Sequence, residues 1–487
     1  MKHSKLFRIT VLLLAVVMTA GVLAGCGGTA ASSSTAASSS SAAASSSKAS
    51  SSSAAGSSSA ASSSASSSDS NKYAGRTLKI LLSVGGGGNY YEPVAERMMK
   101  MYPGLTVEVD YNKAAQDVLR TEALSGDAPD IFNINTGFLP PYDIISQGLA
   151  QPIDDILNET TLDGSKKLGD ILDKNLFSIG EVDGKHYVMF GDCSFLSGLW
   201  YDSNYFKANN LTVPTDWTSL LKLADECDKL GKDVFGYTGV MASEYACNYW
   251  FWPTVATTDY TTYTAIQNLD VNAFKSDGMK KVVDKMVTLR DKGYYDANTM
   301  GLGNNETQMA FINHDFALLP CGSWLEAEMA DAWTSDWKLS YLPYSFGDAA
   351  GAQQYMTVAP LISMVSATTK NMDLVKEFYR TLFSDSEAIT AAVKVSNNAM
   401  NVSGFADTYG DLLLPSVKEC DQSLESGMKA LNNPVTWWYT DFDTELANMI
   451  NALMGGEINA DEFMQRGCDL VTKIKNDSTI TKYTFAG

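Results

Sequence analysis

The sequence is poor in the groups that catalysis and metal binding use. It has three histidines in 487 residues, and none stands in H-E-x-x-H or at a paired-ligand spacing. Its seven cysteines form no C-x-x-C pair, so neither a zinc ribbon nor a thioredoxin-like dithiol is written in the chain. No G-x-S-x-G elbow marks a hydrolase, and no Walker A follows the glycine run. That run, Gly85 to Gly88, has Tyr90 where a dinucleotide fingerprint would carry its third glycine. Lysine and arginine are outnumbered, 36 against 56 acidic residues, for a formal net charge of -20. With no basic cluster either, nucleic acid and anionic lipid headgroups are disfavoured as partners. Beyond residue 26 no run is apolar for about 18 residues, so no second segment has the length of a membrane-crossing helix.

What is present begins at the amino terminus. Lys2, Lys5 and Arg8 precede an apolar run from Ile9 to Leu23, which ends in Leu23-Ala24-Gly25-Cys26. A basic stretch, an apolar core and small residues at a cleavage point define a secretory signal. Leu-Ala-Gly-Cys also resembles the lipobox of bacterial lipoproteins, in which the cysteine is lipidated and left as the new terminus. Residues 1–26 are therefore read as a lipoprotein signal peptide, with Cys26 as the membrane anchor. Residues 27–71 are almost entirely Ser, Ala and Gly. They offer too little apolar bulk to offset chain entropy and form a flexible tether, whose root-mean-square reach is roughly 35–40 Å.

The remaining residues, more than one hydrophobic core usually supports, predict two lobes. Thr77–Val84 is an apolar run of strand length stopped by the glycines. A helix is expected from Tyr91 to Tyr102, a strand at Thr106–Asp110, a helix over Ala114–Leu124, and a strand at Pro129–Ile134. Strands alternating with helices indicate βαβ units and a mostly parallel sheet, whose ligands bind at the carboxyl ends of the strands. Those ends are Gly85–Tyr90 and Asn135–Phe138. Cys193, Cys227, Cys247, Cys321, Cys420 and Cys468 read as small buried residues rather than a disulfide scaffold.

Seven short motifs then occur in order: Gly126-Asp127-Ala128-Pro129-Asp130-Ile131; Gly148-Leu149-Ala150-Gln151-Pro152; Asp183-Gly184-Lys185-His186-Tyr187; Leu199-Trp200-Tyr201-Asp202 with Tyr205-Phe206; Pro214-Thr215-Asp216-Trp217; Phe311 through Gly322-Ser323-Trp324; and Lys370-Asn371-Met372-Asp373 with Phe378, Tyr379 and Leu382. Each is weak alone. Together they resemble the extracellular solute-binding proteins of ABC importers, in particular the sugar-binding group that includes maltose-binding protein. Two departures stand out. Asn313-His314-Asp315 replaces the usual turn, and Val188–Asp192 lacks the proline that normally follows the D-G-K hairpin.

The resemblance implies an α/β, two-lobe periplasmic-binding-protein-like fold of type II, with hinge strands and an interlobe ligand cleft. Lobe 1 would be 72–187 and 345–395, and lobe 2 would be 195–340 and 396–487. It further implies a monomer lipid-anchored on the extracellular face of a bacterial membrane. Such a protein captures a neutral sugar or oligosaccharide, a ligand that calls for aromatic platforms and planar polar groups, and delivers it to ABC transporter permease subunits. Carried over onto this sequence, the ligand residues are Asn89, Asn135 and Thr136 from strand-end loops, Asn248, Tyr249 and Trp250, Trp324 of the G-S-W turn, and Trp437 or Trp438. Asp192 and Tyr355 are hydrogen-bonding candidates. Trp200, Trp217, Trp252, Trp333 and Trp337 are expected in core or rim packing instead. No catalytic residue, metal site or cofactor is expected. The alternatives are a binding protein for a peptide or polyamine, a binding module that serves no transporter, and a cell-surface glycoside-active enzyme.

Overall fold

The computed structural model describes residues 72–83, 90–133, 141–172, 180–236, 250–294, 301–342, 347–348, 351–431, 435, 438–480 and 482–485. The leader and tether, residues 1–71, lie outside them.

Strand β1 (Thr77–Ser83) runs parallel to β2 (Thr106–Asn112) and to β3 (Ile131–Asn133). Helices Tyr91–Met101 and Ala115–Ser125 make the crossovers. These are the βαβ units expected from the sequence, with boundaries shifted by a residue or two. The pleat divides β1 between two hydrophobic clusters. Leu78, Ile80 and Leu82 pack with Tyr91, Val94 and Met98 of the first helix, whereas Leu81 faces Leu119 and Phe132 on the other side. A sheet covered on both faces reads as a near-continuous apolar run, which is how β1 is written.

The motifs act here as structural nodes. Gly126 ends its helix in the left-handed region at φ 77°, a conformation that favours glycine. Asp130 is buried, accepts from the Lys79 N–H at 2.9 Å, and accepts from Thr369 and the Asn371 amide. The G-D-x-P-D and Lys370-Asn371 motifs, more than two hundred residues apart in sequence, thus meet at one carboxylate. Asp183 and Gly184, at φ 51° and 72°, form the two-residue turn between β5 (Glu181–Val182) and β6 (Lys185–His186). Positive φ at both central residues is the turn geometry that matches strand twist.

Two long strands run through the molecule. Strand β7 (Val188–Asp202) pairs antiparallel with β11 (Tyr355–Ser366), from Val188↔Met364 to Leu196↔Val358, with a register shift between Pro360 and Ile362. At one end β11 pairs with β3 and with β4 (Ala150–Gln151). At the other, β7 pairs with β9 (Phe316–Gly322) and β10 (Leu339–Leu342). Strand β8 (Asp233–Phe235) lies beside β9, and β12 (Lys429–Leu431) beside β11. The spatial order is β2-β1-β3-β11-β7-β9-β8. Strands β7 and β11 are therefore the hinge, and the missing proline after His186 leaves β7 uninterrupted. A bulge re-aims a strand, and the shift between Pro360 and Ile362 is where β11 departs from a regular ladder with β7.

This is the two-lobe type II fold. After β11, helices Met372–Ser384 and Ser386–Ser396 return to the β1–β3 sheet, tied by Arg97 to Asp385 at 3.0 Å and by Arg76 to Asp373 at 2.5 Å. Ala399, Met400, Phe405, Leu413 and Val417 also pack in that core, whereas Cys420 onward packs with the β7–β10 side. Cys227, Cys321, Cys420 and Cys468 are buried free thiols.

Candidate functional site

The G-S-W turn lies at the seam between the lobes. Gly322 ends β9 opposite Ser197 of the hinge strand. Ser323 is buried, its N–H donates to the Leu196 carbonyl at 2.9 Å, and its hydroxyl accepts from the Leu196 N–H at 3.2 Å. The same hydroxyl lies 3.3 Å from Oδ1 of Asn398, which follows the helices on the first lobe. Nearby, the Ser197 hydroxyl donates to the Thr357 carbonyl of β11 at 2.6 Å. Trp324 then folds its indole over Gly322, where a Cβ would overlap the ring. The glycine is required for that close approach. Trp324 stays partly exposed, with one side against the core. It is the expected ligand residue that the structure places at the hinge.

The other aromatic candidates are deeper. Trp250 is 4% exposed and opens the helical segment carrying Trp252. Tyr355, at 6% exposure, starts β11 beneath Tyr260, ring centroids 5.3 Å apart. Trp438, at 4%, stacks on Tyr142 at 5.3 Å and meets Tyr483 at 3.4 Å. Asn89, Asn135, Thr136, Asn248, Tyr249 and Trp437 lie outside the described residues, as does the side chain of Asp192, whose backbone is part of β7. Neither Tyr142 nor Tyr483 stands in a motif.

The tryptophans assigned to packing do pack. Trp200 is fully buried and donates to the Cys321 carbonyl at 3.0 Å. Trp252 is fully buried among Phe251, Tyr263 and Phe442. Trp333 and Trp337 donate to the Glu326 and Ile312 carbonyls, and the Lys285 ammonium lies over the Trp217 ring at 5.7 Å.

Both histidines of the folded part hold structure together. His186 bonds Asp154 at 2.9 Å. His314 takes φ 56° in its turn, lies between the rings of Tyr205 at 4.1 Å and Trp337 at 4.5 Å, and bonds Asp202 at 2.9 Å. Burial works to raise the Asp202 carboxyl, but hydrogen bonds from His314 and from the backbone N–H groups of Lys338, Tyr205 and Asn204 outweigh it. They hold the group below the usual carboxylate range. Among the described residues no group of three or more His, Cys, Asp and Glu could hold a metal ion.

A seam between two α/β lobes, crossed by paired hinge strands and bearing a half-open tryptophan, is an arrangement that can close on a solute. Residues 83–389 match the family described as bacterial extracellular solute-binding protein. The chain belongs to that family, whose members are exported. It is 24% identical over 419 residues to the diacetylchitobiose binding protein NgcE of Streptomyces coelicolor, covering 84% of this chain and 87% of that protein. It is 23% identical over 323 residues to the multiple sugar-binding protein of Streptococcus mutans, covering 65% and 73%. Among solved structures, apo RafE from Streptococcus pneumoniae superposes with a TM-score of 0.67 at 20% identity, covering 83% of this chain and 98% of that one. A chitin oligosaccharide binding protein gives 0.63 at 18%, covering 82% and 98%. These relatives are binding proteins rather than enzymes.

Proposed function

We propose that the protein captures a neutral sugar or oligosaccharide by closing its lobes on it, and hands it to the permease of an ABC importer without covalent chemistry. The observation that carries this reading is Trp324, a partly exposed indole seated on glycine at the hinge. An indole offers a flat apolar face to the C–H side of a pyranose, and a ligand touching it can bias the opening and closing of the lobes. The two curated relatives are named for diacetylchitobiose and for multiple sugars, which supports the same class.

Export with lipidation at Cys26 belongs to the same proposal and rests on the Leu23–Cys26 sequence. The tether would let the lobes work at a distance from the membrane. A Cys26→Ala variant should lose lipid labelling and leave the membrane fraction, whereas retention in it would remove the anchor from the account.

Titration calorimetry of the purified protein tests the ligand, with raffinose, chitooligosaccharides, xylooligosaccharides, short peptides and spermidine as probes. Saturable binding of a sugar that is recovered intact after prolonged incubation is the expected result. Binding of peptides or spermidine alone would keep the fold and overturn the ligand, and hydrolysis of the sugar would overturn the function.

A further inference from the structure

The turn that carries Trp324 is fixed to a helix that joins both cores. That helix, Pro415–Glu425, places Val417 in the core of the β1–β3 side and Cys420 in the core of the β7–β10 side. After β7 and β11 it is the third place where the chain passes between the cores. Two of its own carboxylates hold it, one toward each side. Glu419 accepts from the Tyr341 N–H of β10 at 2.8 Å, and Asp421 accepts from the Ala406 N–H of the first core at 3.0 Å.

A third carboxylate reaches the helix from outside. Glu326 stands two residues after Trp324, in the short helix Leu325–Glu328. Its Oε2 accepts from the Ser416 N–H at 3.1 Å and from the Ser416 hydroxyl at 2.5 Å. Ser416 is fully buried and follows Pro415 in the first turn of its helix. There a backbone N–H has no partner within the helix, and the helix dipole favours a negative charge. Leu414, which precedes the helix, supplies no side-chain cap, so Glu326 takes that role from another element. The Glu326 carbonyl accepts from the Trp333 indole at 2.9 Å, and Leu325 beside it is fully buried. Trp324 already has helical dihedrals, φ -73° and ψ -15°, so its backbone and that of Glu326 turn as one unit. On the other side of Trp324, Ser323 lies 3.3 Å from Asn398. The indole thus stands between two contacts with the stretch 398–416, which no motif marks.

We propose that Glu326 is a positioning residue for the Trp324 platform. By capping the crossing helix it ties the direction of the indole to the place of that helix, so that ring and lobes move together. The proposal rests on the sugar-binding reading above and adds to it a residue that acts without touching the sugar. Both partners of its carboxylate are neutral donors of Ser416, so an amide oxygen in the same place can accept the same bonds.

The test joins fluorine NMR to calorimetry on the purified protein. With 5-fluorotryptophan incorporated, the Trp324 and Trp252 lines are assigned by their loss in Trp324→Phe and Trp252→Phe. Glu326→Ala should move or broaden the Trp324 line and leave the Trp252 line in place, and Glu326→Gln should leave both. Calorimetry then uses raffinose, chitooligosaccharides and xylooligosaccharides. For whichever sugar binds, Glu326→Ala should weaken binding about five- to tenfold and Glu326→Gln by less than about twofold. In a Trp324→Ala background the Glu326→Ala loss should shrink to less than about twofold, because a residue that acts through the indole has nothing left to position. An unmoved Trp324 line, or a loss that persists in full without the indole, would overturn the assignment. If the original protein binds no sugar, the sugar-binding reading falls, and the fluorine lines still decide whether Glu326 sets the indole.

Discussion

The β7–β10 side of the molecule holds two kinds of tryptophan within one core. Trp252 is fully buried, ringed by Phe251, Tyr263 and Phe442. Trp324 lies on glycine backbone at the seam, with one side against the same core and the rest accessible. The side chain is identical in both cases, and the difference lies in its surroundings. Around Trp252, side chains fill all the space, so the indole contributes dispersion and area removed from water. At Trp324 the neighbour below is a residue without a side chain, so the ring is positioned without being enclosed. A ligand can then remove the remaining surface from water. Position over a glycine, beside a hinge, separates the tryptophan proposed to bind from the one that packs.

Substitution should break that contrast in a definite order. Trp252→Ala removes a fully buried indole and should destabilise the fold by about 3–5 kcal/mol, which denaturant unfolding measures. Trp324→Ala should leave unfolding nearly unchanged but cost about 2 kcal/mol of sugar binding, roughly 25- to 30-fold in affinity. Gly322→Ala should weaken binding by a similar or somewhat smaller factor of about 10 to 30, because its Cβ displaces the ring while the indole itself is still present. Full affinity in Gly322→Ala would show that the position of Trp324 over the glycine is incidental.

A smaller effect sharpens the comparison away from the ligand. Asp202 is buried and accepts from His314 and from the Asn204 and Lys338 N–H groups. Asp202→Asn should lower stability by about 1–3 kcal/mol at neutral pH. Because the folded-state carboxyl is held below its usual range, its contribution is complete above about pH 4. It is lost as the pH falls through the lowered value. The stability gap between the two proteins should narrow in acid, and a gap constant to pH 3 would contradict the assignment.

The first sheet was readable in the sequence because its strands are covered on both faces. Thr77–Ser83 shows one apolar run between turn residues, and Gly126 and the Asp183-Gly184 pair mark places where the backbone needs positive φ. The family motifs also survived translation into structure, but as joints. Asp130 with Asn371, Asp202 with His314, and Asp216 capping its helix through Ser219 at 2.7 Å hold elements together. Trp324 is the exception among them. Less was readable where distant segments meet. Tyr142, Trp438 and Tyr483 come together only through the fold, and nothing local marks Tyr142 as the ring that stacks on Trp438. Similarly, Ala399–Val417 carries no pattern that says which of two cores it joins, since both are apolar and the choice is made by tertiary packing.

The central claim is capture of a sugar by closure of two lobes, and small-angle X-ray scattering reads that directly. With the oligosaccharide that calorimetry identifies added to saturation, the radius of gyration of the folded lobes should fall, and it should stay at the ligand-free value when the same sugar is added to Trp324→Ala at that concentration. A bound sugar that leaves the scattering of the original protein unchanged would contradict closure as the mechanism.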